Sequence, residues 1–113
     1  MKPGDVVLAQ LRQADGMVKT RPALVLGEMP PFADFLLCGV STQLRHEVAG
    51  FDEVMNPTHD NFNGSGLVAA SLIRLGFLAV LPRREVLGSI GSISPERLQR
   101  MVQRLCERLG ERS

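Results

Sequence analysis

The chain has 113 residues, 44% of them hydrophobic and 22% charged, with a formal net charge of +1. That length suits a single domain, expected to span 1–113, with enough apolar residues for a core that needs no disulfide scaffold. The near balance of charge excludes a protein that attracts nucleic acid through its whole-molecule field, so any such site must come from local clustering.

Met1-Lys2-Pro3-Gly4-Asp5 holds turn formers and no apolar stretch of the kind a secretion signal needs. Val6 to Leu11 is a short run fit for a strand. Residues 12–21 are polar, with Asp15-Gly16 as a turn signal, and read as a hairpin loop or arm. Pro22 to Leu26 is a continuous apolar strand, with proline at its first position, where no ladder donor is lost from the middle. After Met29-Pro30-Pro31, Phe35 to Val40 is a third strand, ending at Ser41-Thr42-Gln43. Residues 44–66 are rich in Asp, Asn, His and Gly and form the longest irregular stretch, of the kind that often carries function. Leu67 to Leu75 and Phe77 to Leu81 read as two strands parted by Gly76, and Val86 to Ile93 as a short last strand.

Ser94-Pro95-Glu96 is a helix start, with a hydroxyl cap, proline in the first turn and a carboxylate beside the helix's positive end. Leu98, Met101, Val102, Leu105, Cys106 and Leu109 then recur at helical spacing, leaving the arginines on the other face, and Gly110 closes the helix. Strands followed by one C-terminal amphipathic helix predict a β-rich α+β fold. Cys38 and Cys106 both fall on apolar faces and read as buried, reduced core thiols. No run of about 18 apolar residues would span a membrane, so a cytoplasmic protein is expected.

Three segments carry a resemblance: Gly4-Asp5-Val6-Val7-Leu8, Arg21-Pro22-Ala23-Leu24-Val25 and Val40-Ser41-Thr42-Gln43. Gly66-Leu67, Ser71-Leu72-Ile73-Arg74 and Ile90-Gly91-Ser92-Ile93-Ser94 extend it in register. Together they resemble the MazF/PemK family of toxins from type II toxin–antitoxin modules. The resemblance implies an SH3-like barrel of mostly antiparallel strands with a C-terminal helix, usually a homodimer. It also implies a metal-independent endoribonuclease for single-stranded RNA, needing no cofactor and inhibited by a cognate antitoxin. By position, the family's catalytic arginine falls on Arg21 and its catalytic threonine on Ser41, with Thr42 beside it. The commoner order puts threonine first. The loop before Arg21 also lacks the family's usual glutamate, Asp15 being its only carboxylate.

These residue types suit the chemistry. RNA supplies its own nucleophile, the 2′-OH, so the protein must align the attack, stabilise charge on the phosphate oxygens and move protons. Arginine grips two phosphate oxygens through its planar fork, and a hydroxyl donates one more hydrogen bond. Lys19, Gln43, Arg45, His46 and Arg74 are the candidate RNA contacts, the alternative for the charged ones being a solvated scatter of charge. In a chain without Trp or Tyr, Phe51 and Phe62 are the aromatics placed to stack bases, the alternative being core packing. No metal-ligand spacing is present. Two readings stay open beside the nuclease. One is a gyrase-binding toxin of the CcdB type on the same barrel. The other is an inactive binding module.

Overall fold

The computed structural model describes residues 1–111. Six strands and one α-helix follow in order: β1 (Asp5–Arg12), β2 (Val18–Met29), β3 (Asp34–Ser41), β4 (Glu53–Met55), β5 (Ser71–Leu81), β6 (Val86–Ser92) and α1 (Pro95–Gly110). They form one curled sheet in the order β4-β5-β3-β2-β1-β6, with every pairing antiparallel. This half-barrel with a C-terminal helix is the β-rich arrangement expected.

Alternation along the strands divides the apolar residues between the two sides of the sheet. Val6, Leu24, Leu26, Cys38, Val40, Ile73 and Leu75 build one core with Met101 and Leu105 of α1. Val7, Ala9, Leu11, Ala23, Val25, Phe35 and Leu37 build the other. The helix therefore covers one side only.

Helix α1 begins as expected, with the Arg97 N–H donating to the Ser94 hydroxyl oxygen at 3.2 Å and proline in the first turn. Its buried stripe is narrower than the sequence pattern suggests. Leu98, Met101, Val102 and Leu105 pack on the sheet, whereas Cys106 and Leu109 are exposed. The expectation of two buried thiols thus holds for Cys38 and fails for Cys106, which lies about 100° round the helix from buried Leu105, off the packed stripe.

Four strand assignments differ from expectation. Strand β5 starts at Ser71, so residues 67–70, expected in it, lie outside any strand. Strand β2 starts at Val18, so Arg21 is borne on a strand and not on a loop. Strand β5 runs unbroken through Gly76. Its partners Cys38 and Gly39 are adjacent on β3, yet face Leu78 and Arg74, so Leu75, Gly76 and Phe77 form a bulge. The long polar stretch contains β4, three residues paired with Ser71–Ile73 of β5.

The segment between β4 and β5 lies against β6, near the other end of the sheet. Gly66 has φ +75°, and a Cβ there would stand 2.1 Å from the Ile90 carbonyl oxygen, so only glycine lets these two backbones meet. Among the described residues, no helix is long and apolar enough to cross a membrane.

Candidate functional site

Strand β2 pairs with β1 as far as Val18, and β3 pairs with β5 as far as Ser41. The ladder between β2 and β3 ends earlier, at Ala23 and Gly39. The next residue toward the opening is Pro22, which has no N–H to donate. Beyond it the two strands part. Continued two residues past its last pair, the register sets Arg21 opposite Ser41.

A cleft of about 320 Å³ opens there, on the side of the sheet away from the helix. Arg21 and Pro22 line one wall, and Val40, Ser41, Thr42 and Gln43 the other. Arg74 and Phe77 of β5, Ser71 at its start, and Leu11 and Gln13 complete the lining with His46. No aspartate or glutamate is among these residues. The cleft is therefore a locally cationic place on a nearly neutral chain, the clustering that composition required.

Each polar group has a local reason for its position. The Ser41 hydroxyl oxygen accepts from the Gln43 N–H at 3.0 Å, which leaves its O–H free to donate into the cleft. Residues Leu44–His46 form a 3₁₀ turn, held by the His46 N–H donating to the Gln43 carbonyl at 3.1 Å, and this turn brings His46 to the cleft. Arg74 lies directly across from Gly39 in the β3–β5 ladder, with its guanidinium carbon 5.6 Å from the centre of the Phe77 ring. Arg21 is exposed.

Of the candidates expected from sequence, Arg21, Ser41, Thr42, Gln43, His46 and Arg74 share this one cleft. Lys19 and Arg45 do not line it. Lys19 sits exposed two residues before Arg21, opposite Leu11, and the Arg45 side chain turns onto the Gln43 amide oxygen. The expected aromatics are also elsewhere. Phe62 is buried in the helix-side core, and Phe51 packs against that core under Arg108. Phe77 takes their place. The only sequence cue to it is the glycine before it, which marks the bulge that turns the ring inward.

A second charged cluster lies away from the cleft. Glu53 is 8% exposed and meets three arginines of α1. Burial alone would raise its pKa, but the hydrogen bonds from Arg100 and the charges of Arg100, Arg97 and Arg104 hold it below the usual value. Its neighbour Asp52 accepts from the backbone N–H groups of Val48 and Leu75, at 2.9 and 3.1 Å. Both acids pin the 48–55 segment to the body of the fold. Among the described residues, no group of three or more His, Cys, Asp or Glu side chains is arranged to hold a metal ion.

The profile of the PemK-like, MazF-like toxins of type II toxin–antitoxin systems matches residues 2–109. The chain belongs to this family. A solved structure described as MazE–MazF (Form-II) from Deinococcus radiodurans is similar with a TM-score of 0.62 and 19% identity, over 99% of this chain and 97% of that one. At that identity the likeness bears on the fold alone. Comparison with individually curated proteins finds no match.

Proposed function

We propose that this toxin is an endoribonuclease that cleaves single-stranded RNA through the RNA's own 2′-OH, without a metal ion. The observation that carries the reading is the convergence of Arg21, Ser41, Thr42 and Arg74 on one cleft with no carboxylate in its lining. A phosphodiester is an anion, and such a lining favours it through fixed charge and hydrogen-bond donors.

In this reading the scissile phosphate sits between Arg21 and Ser41. The 2′-oxygen attacks phosphorus, the bond to the 5′-oxygen breaks, and the products are a 2′,3′-cyclic phosphate and a 5′-hydroxyl. Arg21 stabilises the charge that builds on the non-bridging oxygens. Its planar fork can donate to two of those oxygens at once. The Ser41 O–H, its oxygen fixed by the Gln43 N–H, donates to the same phosphate. His46, which lines the mouth of the cleft, is the proton carrier we assign: a ring nitrogen takes the proton of the attacking 2′-hydroxyl and returns it to the departing 5′-oxygen. A cytoplasmic location, a second copy of the chain and a cognate antitoxin belong to the same reading. The antitoxin is supported by the similar solved structure, which is described as MazE–MazF.

The test is cleavage of a long single-stranded RNA in EDTA by the wild type and by Arg21→Ala. Cleavage that leaves 5′-hydroxyl ends and falls at least about 10²-fold in the variant is expected. A folded wild type that cuts nothing in EDTA, or an Arg21→Ala protein that cuts as well, overturns the reading.

A further inference from the structure

The cleft contains one phenyl ring, that of Phe77, and the backbone places it in an uncommon way. Phe77 sits on the bulge of β5, so three residues of that strand have no partners on β3. The bulge lays the ring on the bare backbone of Gly39. A Cβ at Gly39 would stand 2.9 Å from Phe77 Cδ1 and 3.3 Å from Cγ. The ring is only half-buried and borders the cleft.

The other four phenylalanines are not available to the cleft. Phe35 and Phe62 are buried, Phe51 packs beneath the helix, and Phe32 lies 79% exposed in the turn at the far end of β2 and β3. Gly39 and Ser41 are two residues apart on β3 and so share a face, about 7 Å apart along the strand. Ring and hydroxyl therefore flank one stretch of backbone. Arg74 stands over the ring at 5.6 Å, within cation–π range, and lines the same cleft.

We infer that Phe77 is a base-stacking subsite: it receives the nucleobase next to the phosphate held at Arg21 and Ser41, with Arg74 as its charged flank. This rests on the nuclease reading and adds to it the group that seats a base. Stacking on a ring accepts any base, because every base has a π-face. Phe77 is thus a binding and positioning residue, and choice among bases falls to the polar groups around it.

The test titrates nucleoside 3′-monophosphates, and ribose 3-phosphate as a base-free control, into the wild type, Phe77→Leu and Phe77→Tyr. The readouts are the aromatic proton resonances, few in a chain with five Phe and no Trp or Tyr, and the dissociation constants. We expect the nucleotides, and not the sugar phosphate, to shift the Phe77 ring resonances. We also expect Phe77→Leu to weaken nucleotide binding about tenfold, with Phe77→Tyr restoring it. Thermal melting checks that each variant is folded. Nucleotide binding unchanged in folded Phe77→Leu, or sugar phosphate bound as tightly as the nucleotides, overturns the subsite while leaving the nuclease reading intact. A wild type that neither cleaves RNA nor binds any nucleotide overturns both.

Discussion

The Arg100 guanidinium grips Glu53 with two parallel hydrogen bonds, Nε to Oε2 at 2.7 Å and Nη2 to Oε1 at 2.9 Å. Arg97 adds a contact to Oε1 at 2.9 Å and Arg104 one to Oε2 at 2.7 Å. Positions 97, 100 and 104 fall on one helical face, so α1 presents three cations in a row to a single carboxylate on an edge strand. Removing that carboxylate would leave Arg97, mostly buried, without its counter-ion. Glu53→Gln is therefore expected to destabilise the fold by about 3 kcal/mol. Arg100→Ala is expected to cost about 1 kcal/mol or less, because that side chain is half exposed. Urea midpoints of the two variants check the order, and equal values for both would contradict it.

The same cluster sets an acid limit. The pKa of Glu53 is lowered in the folded state by Arg100, Arg97 and Arg104 against the opposing effect of burial. The unfolded chain therefore takes up the proton first as pH falls. The stabilisation is fully present above the ordinary glutamate value of about 4.3 and is lost as pH falls through the lower folded value. Melting temperatures of wild type and Glu53→Gln, taken from about pH 7 down to pH 2, should converge at the acid end. Curves that stay parallel would show that the cluster does not titrate with folding.

Within the cleft, the two hydroxyls should differ. Ser41 is half-buried and has its oxygen anchored, whereas Thr42 is exposed. A preorganised donor contributes more to a transition state than a mobile one. Ser41→Ala is expected to lower kcat about 10²-fold, and Thr42→Val less than about tenfold. Steady-state cleavage of one RNA by both variants checks this. The reverse order would assign the role to Thr42.

Legibility from sequence followed the physics of each element. Helix α1 was readable at Ser94-Pro95 because capping chemistry is local, and the apolar strands were readable because they are buried. The start of β2 was not, because Val18 to Arg21 lie in a ribbon exposed on both sides and carry no apolar alternation. Three-residue β4 was hidden in a polar stretch, since its partners come from β5 and not from its own pattern. The arginines of α1 read as a solvated face because their counter-ion lies more than forty residues away in the chain. Arg21, Ser41, Thr42 and Gln43 were legible through the family resemblance, Arg74 through its charge, and His46 through its residue type and its nearness in the chain to Ser41. Phe77 had no such guide, because its entry depends on a bulge formed against β3.

The thiols make a separate prediction. Burial pushes the Cys38 thiol up to about 12, with the Asp52 carboxylate adding to the shift. Cys106 is exposed on the last turns of α1. Under native conditions a thiol reagent should label one cysteine at once and the second only on unfolding, since thiolate and access are both needed. Cys106→Ser should abolish the fast phase. Two fast thiols in the wild type would mean that the sheet opens at Cys38.

Gly39→Ala tests the contact on which the base subsite depends. The backbone at Gly39 lies outside the left-handed region, so alanine meets no conformational barrier there. The added methyl does meet the Phe77 ring, at 2.9 Å, and the ring must give way. Overpacking of this kind costs about 1–3 kcal/mol. Gly27 is the control, because it is also in a strand and a Cβ there has nothing within 4 Å. Gly27→Ala should be neutral or stabilising by up to about 1 kcal/mol, through the loss of chain entropy in the unfolded state. The decisive measurement is the double variant Gly39→Ala with Phe77→Leu, compared with each single change by urea unfolding. If the methyl acts through the ring, shrinking the ring relieves it, and the two costs sum to clearly more than the double variant shows. Strict additivity would mean that alanine at position 39 disturbs the sheet by another route.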